Sequence, residues 1–225
     1  QGENIKVVVV TGGHGFKQEP FLALFQSYDD IDYVEARQQD HSEIFEDISD
    51  WDYDVIVLYN MTQQISPKRR QNFVRLLQRG VGVVALHHSI AAYQQWSEYR
   101  KIIGGKYYLK TAEENGLVHE AGTYKHDVDF MVHIEDASHP ITQGMSDVGV
   151  HIQRCVKCVF DKDNLVLAST DHPTSDGPLC WVKRYGRAKI CYIQMGDGPS
   201  AYADANYRRL VARAIKWCAG RLDGN

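Results

Sequence analysis

Short apolar runs alternate along the chain with amphipathic stretches, and the two periods separate strands from helices. Ile5 to Val10 is an apolar, β-branched run, the pattern of a strand buried on both faces. Gly12-Gly13-His14-Gly15 breaks it, and a helix with the apolar stripe Phe21, Leu22, Leu24 and Phe25 follows. Ile31 to Ala36 reads as a second strand and Val55 to Tyr59 as a third. Ser66-Pro67 then opens a helix, with Ser as the cap and Pro in the first turn. Phe73, Val74, Leu76 and Leu77 form its core face, and Gly80 closes it. Val81 to Leu86 is a fourth strand, and His87 follows at once.

Strand and helix alternating at this spacing imply a parallel sheet with right-handed crossovers. The expected fold is α/β: a doubly wound, mostly parallel sheet with helices on both faces, as one domain over residues 1–225. In such sheets the ligand crevice lies beyond the C-terminal strand ends. Here those ends carry the polar loops Gly12 to Gly15, Asn60 to Gln64 and His87 to Ser89.

The second half adds strands to this core. Trp96 to Ile103 reads as a helix stopped by Gly104-Gly105, and residues 106–126 show no clear period. Strand-like runs cover Val128 to Ile134, Val156 to Phe160, Leu165 to Leu167, Leu179 to Val182 and Lys189 to Ile193. Arg184-Tyr185-Gly186-Arg187 is a hairpin turn between the last two. Asp136 to Thr142 reads as a rigid turn leading into a short helix. Asp204 caps a final helix that buries Leu210, Val211, Ala214, Ile215, Trp217 and Cys218 and ends at Gly220.

Composition narrows the classes. At 225 residues and 44% hydrophobic content, one domain can bury a full core. The formal net charge is -4 and no Lys/Arg block stands out, which argues against a nucleic-acid partner. The apolar stretches are strand-length, short of the roughly 20 residues of a membrane span. The chain starts at Gln1: it is periplasmic or secreted if a signal peptide was removed, and cytoplasmic otherwise. Of the five cysteines, Cys180, Cys191 and Cys218 sit in apolar runs as small core residues. Cys155-x-x-Cys158 has no second pair to complete a structural zinc site.

The chemistry concentrates at strand ends. Glycines around His14, Gly13 among them, let backbone N–H groups approach an anion or polar ligand, although G-x-G-x-x-G is absent. Leu86-His87-His88-Ser89 occupies the strand-to-helix turn where many α/β hydrolases hold a nucleophile. Histidine stands there, and Ser89 lacks the G-x-S-x-G context, so acyl transfer is disfavoured. Adjacent histidines suit a metal ligand, a general acid/base or sugar-hydroxyl recognition. Asp197, after the strand ending at Ile193, is either a carboxylate in the crevice or a turn acid. His126-Asp127 is placed to cover the pocket, whereas His119, His133, His139, His151 and His172 read as surface or satisfied residues. Trp96, Tyr93, Tyr107, Tyr108 and Tyr202 offer stacking faces for a sugar.

Taken together, Val7 to Phe16, Leu86-His87-His88-Ser89, Trp96-x-x-Tyr99, Ile103-Gly104-Gly105, Asp136-x-x-His139-Pro140-Ile141-Thr142, Tyr185-Gly186-Arg187 and Gly198-Pro199-x-Ala201-Tyr202 resemble the ThuA-like (trehalose utilisation) family. The resemblance covers nearly the whole chain. It implies a class I glutamine amidotransferase-like fold with His87 in place of the amidotransferase cysteine. It also implies carbohydrate metabolism, in a family often found beside oxidoreductases that make 3-keto sugars. Two departures stand out: His151-Ile152-Gln153-Arg154-Cys155 replaces an Asp-Glu-bearing stretch, and Gly196-Asp197 replaces Gly-His. The expected catalytic residues are His87, His14 and Asp197, with Gly13, His88, Ser89, Trp96, His126 and Tyr202 binding the substrate. The expected partner is a small carbohydrate. A divalent metal such as zinc, and oligomerisation, are left open. The rival readings are a non-catalytic sugar-binding or regulatory protein and, against the absence of Cys at positions 87 and 88, a cysteine amidotransferase or protease.

Overall fold

In the computed structural model, residues 2–39 and 41–222 are described, apart from the side chains of residues 127 and 152–156. The β-branched run after Asn4 forms β1 (Ile5–Gly12). Helix α1 (Gln18–Gln26), β2 (Ile31–Arg37), β3 (Val55–Asn60), α2 (Pro67–Arg79) and β4 (Gly82–Leu86) follow in the expected order. The Ser66 side chain accepts the Arg69 N–H, and Gly80 ends α2 in the left-handed region. Helix α3 (Ser97–Ile103) ends likewise at Gly104.

Residues 106–126 hold more order than their mixed polarity suggests. They include most of β5 (Gly105–Tyr107), then β6 (Ala112–Glu114), β7 (Leu117–His119) and the start of β8 (Thr123–Ile134). Asn115 and Gly116, both at positive φ, turn β6 back onto β7. Asn-Gly is the residue pair such a turn favours. The expected strand from Val156 to Phe160 is split. Val156 ends β9 (Val148–Val156), Lys157 has a φ of 62°, and Cys158 opens β10 (Cys158–Phe160), which pairs with β5. The side chain of Cys155, half of the Cys155-x-x-Cys158 pair, lies outside the described residues.

The Asp136 to Thr142 segment is a set of turns and contains no helix. The Asp136 carboxylate accepts the Ser138 and His139 N–H groups there, competing with helix formation. The chain closes with β11 (Leu165–Ser169), β12 (Pro178–Tyr185), β13 (Ala188–Ile193), a short α4 (Pro199–Ala203) and α5 (Ala205–Cys218). Asp204 caps α5 by accepting the Tyr207 N–H at 2.8 Å. Trp217 is half-buried at the edge of the core, with the Lys189 ammonium 4.9 Å from its ring centre.

Nine strands form one mixed sheet in the order β2-β1-β3-β4-β13-β12-β11-β8-β9. The pairings from β2 through β13 are parallel, and those from β13 to β9 are antiparallel. Side chains along β1 divide between two cores because they alternate across the sheet. Val7 and Val9 meet Phe21, Leu24 and Phe25 of α1 and Leu210 and Val211 of α5. Val8 and Val10 belong to the opposite core, with Phe73, Leu76 and Leu77 of α2 and Ile102 and Ile103 of α3. Each such side chain contributes about 1.5–3 kcal/mol when fully buried. No helix among the described residues is long and apolar enough to cross a membrane.

Helix α5 seats closely on β4. A Cβ at Gly82 would lie 2.5 Å from the Cys218 carbonyl oxygen and 2.7 Å from the Cys218 Cβ. Gly82→Ala should therefore destabilise the protein by about 1–3 kcal/mol through overpacking. Gly149→Ala, where an added Cβ meets nothing within 4 Å, should stay within about 0.5 kcal/mol of wild type. Urea unfolding of both variants checks the pair, and equal midpoints would remove this account of the α5 contact.

Candidate functional site

The parallel strands β1, β3, β4 and β13 end on one edge of the sheet, so their exit loops converge. His14 follows β1, Met61 follows β3, His87 and His88 follow β4, and Asp197 follows β13. These residues line one cavity of about 460 Å³. Tyr107, Leu109, Tyr124 and His126, from the arm between β5 and β8, complete its wall.

His87 sits at the turn with a φ of 44° and is 1% exposed. Left-handed backbone at a residue with a Cβ costs about 1–2 kcal/mol. Two bonds hold it there: the Tyr192 hydroxyl donates to the His87 carbonyl at 2.9 Å, and His87 Nδ1 lies 2.6 Å from the Gln194 carbonyl oxygen. A carbonyl can only accept, so Nδ1 carries the proton and Nε2 is the acceptor of the neutral ring. Nε2 lies 4.0 Å from Asp197 Oδ2. Burial pushes the His87 pKa below its usual value; Asp197 and the Gln194 bond oppose the shift, and His14 and His126 add to it.

His88 is held in the other tautomer. Its Nε2 lies 3.2 Å from the Tyr59 carbonyl oxygen, so Nε2 is the donor. Its Nδ1 is buried without a hydrogen-bond partner. Burial, with smaller contributions from His87 and His14, pushes its pKa down to about 2. His14 is exposed and stacks on the His88 ring, 4.1 Å between centroids at 27°. Neutral His88 thus forms a floor under His14.

The structure brings together five of the nine expected site residues: His14, His87, His88, His126 and Asp197. The other four do not line this cavity. Gly13 meets the 61–62 backbone: a Cβ there would lie 2.6 Å from Met61 C and Thr62 N. Its role is loop-to-loop contact, which positions His14. Ser89 is fully buried below the cavity wall, and its carbonyl accepts the Tyr99 hydroxyl at 2.8 Å. Trp96 packs among Phe73, Tyr93 and Tyr99 in the core on the α2 side of the sheet. Tyr202 is 2% exposed, with its hydroxyl 2.5 Å from that of Tyr59. Trp96 and Tyr202 are core residues, because their rings bury more apolar surface against helices than a solvated crevice offers.

Of the remaining aromatics, Tyr107 lines the cavity. Tyr93 is buried against Ser42 and Asn60, and Tyr108 stacks on His119. His133 bonds Asp147 and approaches Asp171, His139 packs on Trp217, His151 bonds Asp129, and His172 contacts Thr174, all away from the cavity. Sequence reasoning missed Tyr59 and the Gln194 carbonyl, which set the ring orientations, and Tyr192, which holds the His87 backbone. The glycines after Gln194 marked that loop, but Tyr59 and Tyr192 look like ordinary strand residues.

No group of three or more His, Cys, Asp or Glu side chains among the described residues could hold a metal ion. His87 Nδ1 and His88 Nε2 donate to carbonyls, which leaves the other nitrogen of each neutral ring as the acceptor. For the zinc left open by the sequence, no third donor is grouped with them among the described residues.

A family model described as ThuA, trehalose utilisation, matches residues 6–218. A putative ThuA-like protein from Parabacteroides merdae superposes with a TM-score of 0.80 at 16% identity, over 99% of this chain and 93% of that one. A putative ThuA-like protein from Bacteroides uniformis gives 0.68 at 18% identity, over 100% and 96%. A cytoplasmic protein from Salmonella typhimurium gives 0.68 at 13% identity, over 95% and 99%. At these identities the likeness is one of fold. No curated protein matches the chain.

The His88 geometry sets a pH dependence. Its folded pKa, about 2, lies below the ordinary histidine value of 6.5. The unfolded chain therefore binds the extra proton first as pH falls. The stability contributed by neutral His88 is complete above pH 6.5 and drains away towards pH 2. By pH 4 the loss reaches about 3 kcal/mol. His88→Gln, which keeps a polar side chain but does not titrate, should flatten this acid limb in urea unfolding. An unchanged slope between pH 6 and 4 would count against a buried neutral His88.

Proposed function

The chain belongs to the ThuA (trehalose utilisation) family, and from that premise we propose that it is an enzyme acting on a sugar or modified glycoside, with His87 as its general base. One observation carries the reading: His87 is a buried imidazole whose tautomer is held by the Gln194 carbonyl, so that its basic nitrogen is the one nearest Asp197. Burial keeps the ring neutral and able to accept a proton at neutral pH. Once protonated, it becomes a cation 4.0 Å from a carboxylate. Asp197 thereby lowers the energy of the charged state formed during the reaction.

The cavity favours a substrate that needs one base. Hydrolysis of an ordinary glycoside generally uses two carboxyl groups across the scissile bond. Asp197 is the one carboxylate among the described residues lining this cavity. A 3-keto glycoside suits the site better, because its carbonyl acidifies the neighbouring C2–H. His87 Nε2 would remove that proton, the electron pair would form the C1–C2 double bond, and the C1–O bond would break. The departing oxygen would then take the proton back from the imidazolium. His14, on its His88 floor, and His126 face the same space and could bind sugar hydroxyls. Tyr107 and Tyr124 supply rings at the wall.

Product analysis with a panel of glucosides and their 3-keto forms tests the proposal. His87→Ala should lower the turnover of the folded protein by about 10²–10⁴-fold, and should also cost about 1–3 kcal/mol of stability by leaving the Gln194 carbonyl unpaired. The wild-type rate should fall on acidification through a pKa below 6.5, as Nε2 takes up its proton. Full turnover by His87→Ala would remove the residue from the chemistry. Saturable saccharide binding with no product from any panel member would favour the sugar-binding reading.

A further inference from the structure

A second cavity, of about 160 Å³, lies between strands β8, β9 and β11 and helices α4 and α5. Val132, Ile134, Val148, Val150, Met195 and Leu210 give it apolar walls. Val132 and Val148 are paired across the β8/β9 ladder, so strand register holds them side by side in one wall, opposite α4 and α5. Exposed Ser200, Asp204 and Asn206 form a polar rim.

Protein interiors leave few voids larger than a water molecule. Apolar walls offer water no hydrogen-bond partners, so an apolar ring readily displaces water from them, and apolar cavities of about 150 Å³ take up benzene. Side chains facing an empty space also forgo dispersion contacts that an apolar occupant restores. Apolar walls with a few polar groups at one side are the usual make-up of a small-molecule site. We infer that this cavity is a second binding site, for a small neutral apolar molecule about one six-membered ring in size. A polar substituent on that molecule would sit at the Ser200–Asp204 rim. The site is distinct from the histidine cavity but adjoins it. Met195 walls the second cavity, while its neighbour Gln194 orients His87 and nearby Asp197 lines the first. The inference does not depend on the catalytic proposal.

Titration of fluorobenzene into the full chain, followed by fluorine NMR, tests it. Wild type should show saturable one-to-one binding. Val148→Phe, which fills the cavity, should weaken binding at least about tenfold, the effect of losing roughly 1.4 kcal/mol of contacts. Leu210→Ala, which enlarges the cavity, should shift the preference towards 1-fluoronaphthalene. Leu109→Ala, on the wall of the histidine cavity, should bind as wild type does, which separates the two sites. Absence of saturation in wild type, equal affinity in Val148→Phe, or loss of binding in Leu109→Ala would each overturn the inference.

Discussion

The contact on which the candidate site depends is the 2.6 Å bond between His87 Nδ1 and the carbonyl of Gln194. It joins the exits of β4 and β13, two parallel neighbours in the middle of the sheet. That bond decides which nitrogen of His87 carries its proton, and it helps to hold a backbone turned into the left-handed region. The same exit segment carries Asp197 round to the Nε2 side, through Asp197's own left-handed backbone with a φ of 73°. Gly196 between them is tightly placed: a Cβ there would lie 2.9 Å from the Tyr207 hydroxyl oxygen and 3.6 Å from the His87 Cβ. One short loop thus supplies a tautomer, a carboxylate and a close packing contact.

Burial divides the labour among the histidines. His87 and His88 are adjacent in sequence and both buried, yet carbonyls from different segments, Gln194 after β13 and Tyr59 in β3, hold them in opposite tautomers. His88 lines the same cavity, with its neutral ring packed between Tyr59 and His14. His87 instead faces a carboxylate that favours its charged form. The opposed effects of desolvation and Asp197 on one ring are what an acid/base group requires.

The two halves of the sheet follow different constraints. The parallel half is covered on both faces, so its strands are β-branched and nearly featureless in sequence. The antiparallel half is more open, with Met131 and Tyr124 of β8 exposed, and it borders the second cavity. The family match and the structural likenesses cover both halves, so the antiparallel strands belong to the shared fold.

Sequence alone determined the alternation of elements through β4, the caps at Ser66 and Asp204, and the hairpin at Gly186, because each follows from periodicity or backbone preference within a few residues. It also placed His14, His87 and Asp197 beyond strand ends, and parallel pairing then brings those ends together. It did not show the arm between β5 and β8, whose strands are too short and too exposed to leave a pattern. Nor did it show that His87 and His88 line the cavity while Trp96, Ser89 and Tyr202 do not. That distinction rests on contacts between distant segments: His87 meets a carbonyl 107 positions away, and Tyr202 meets a hydroxyl 143 positions away. Only the tertiary structure could decide these placements, because burial and ring tautomer are properties of the packed neighbours and not of the local chain.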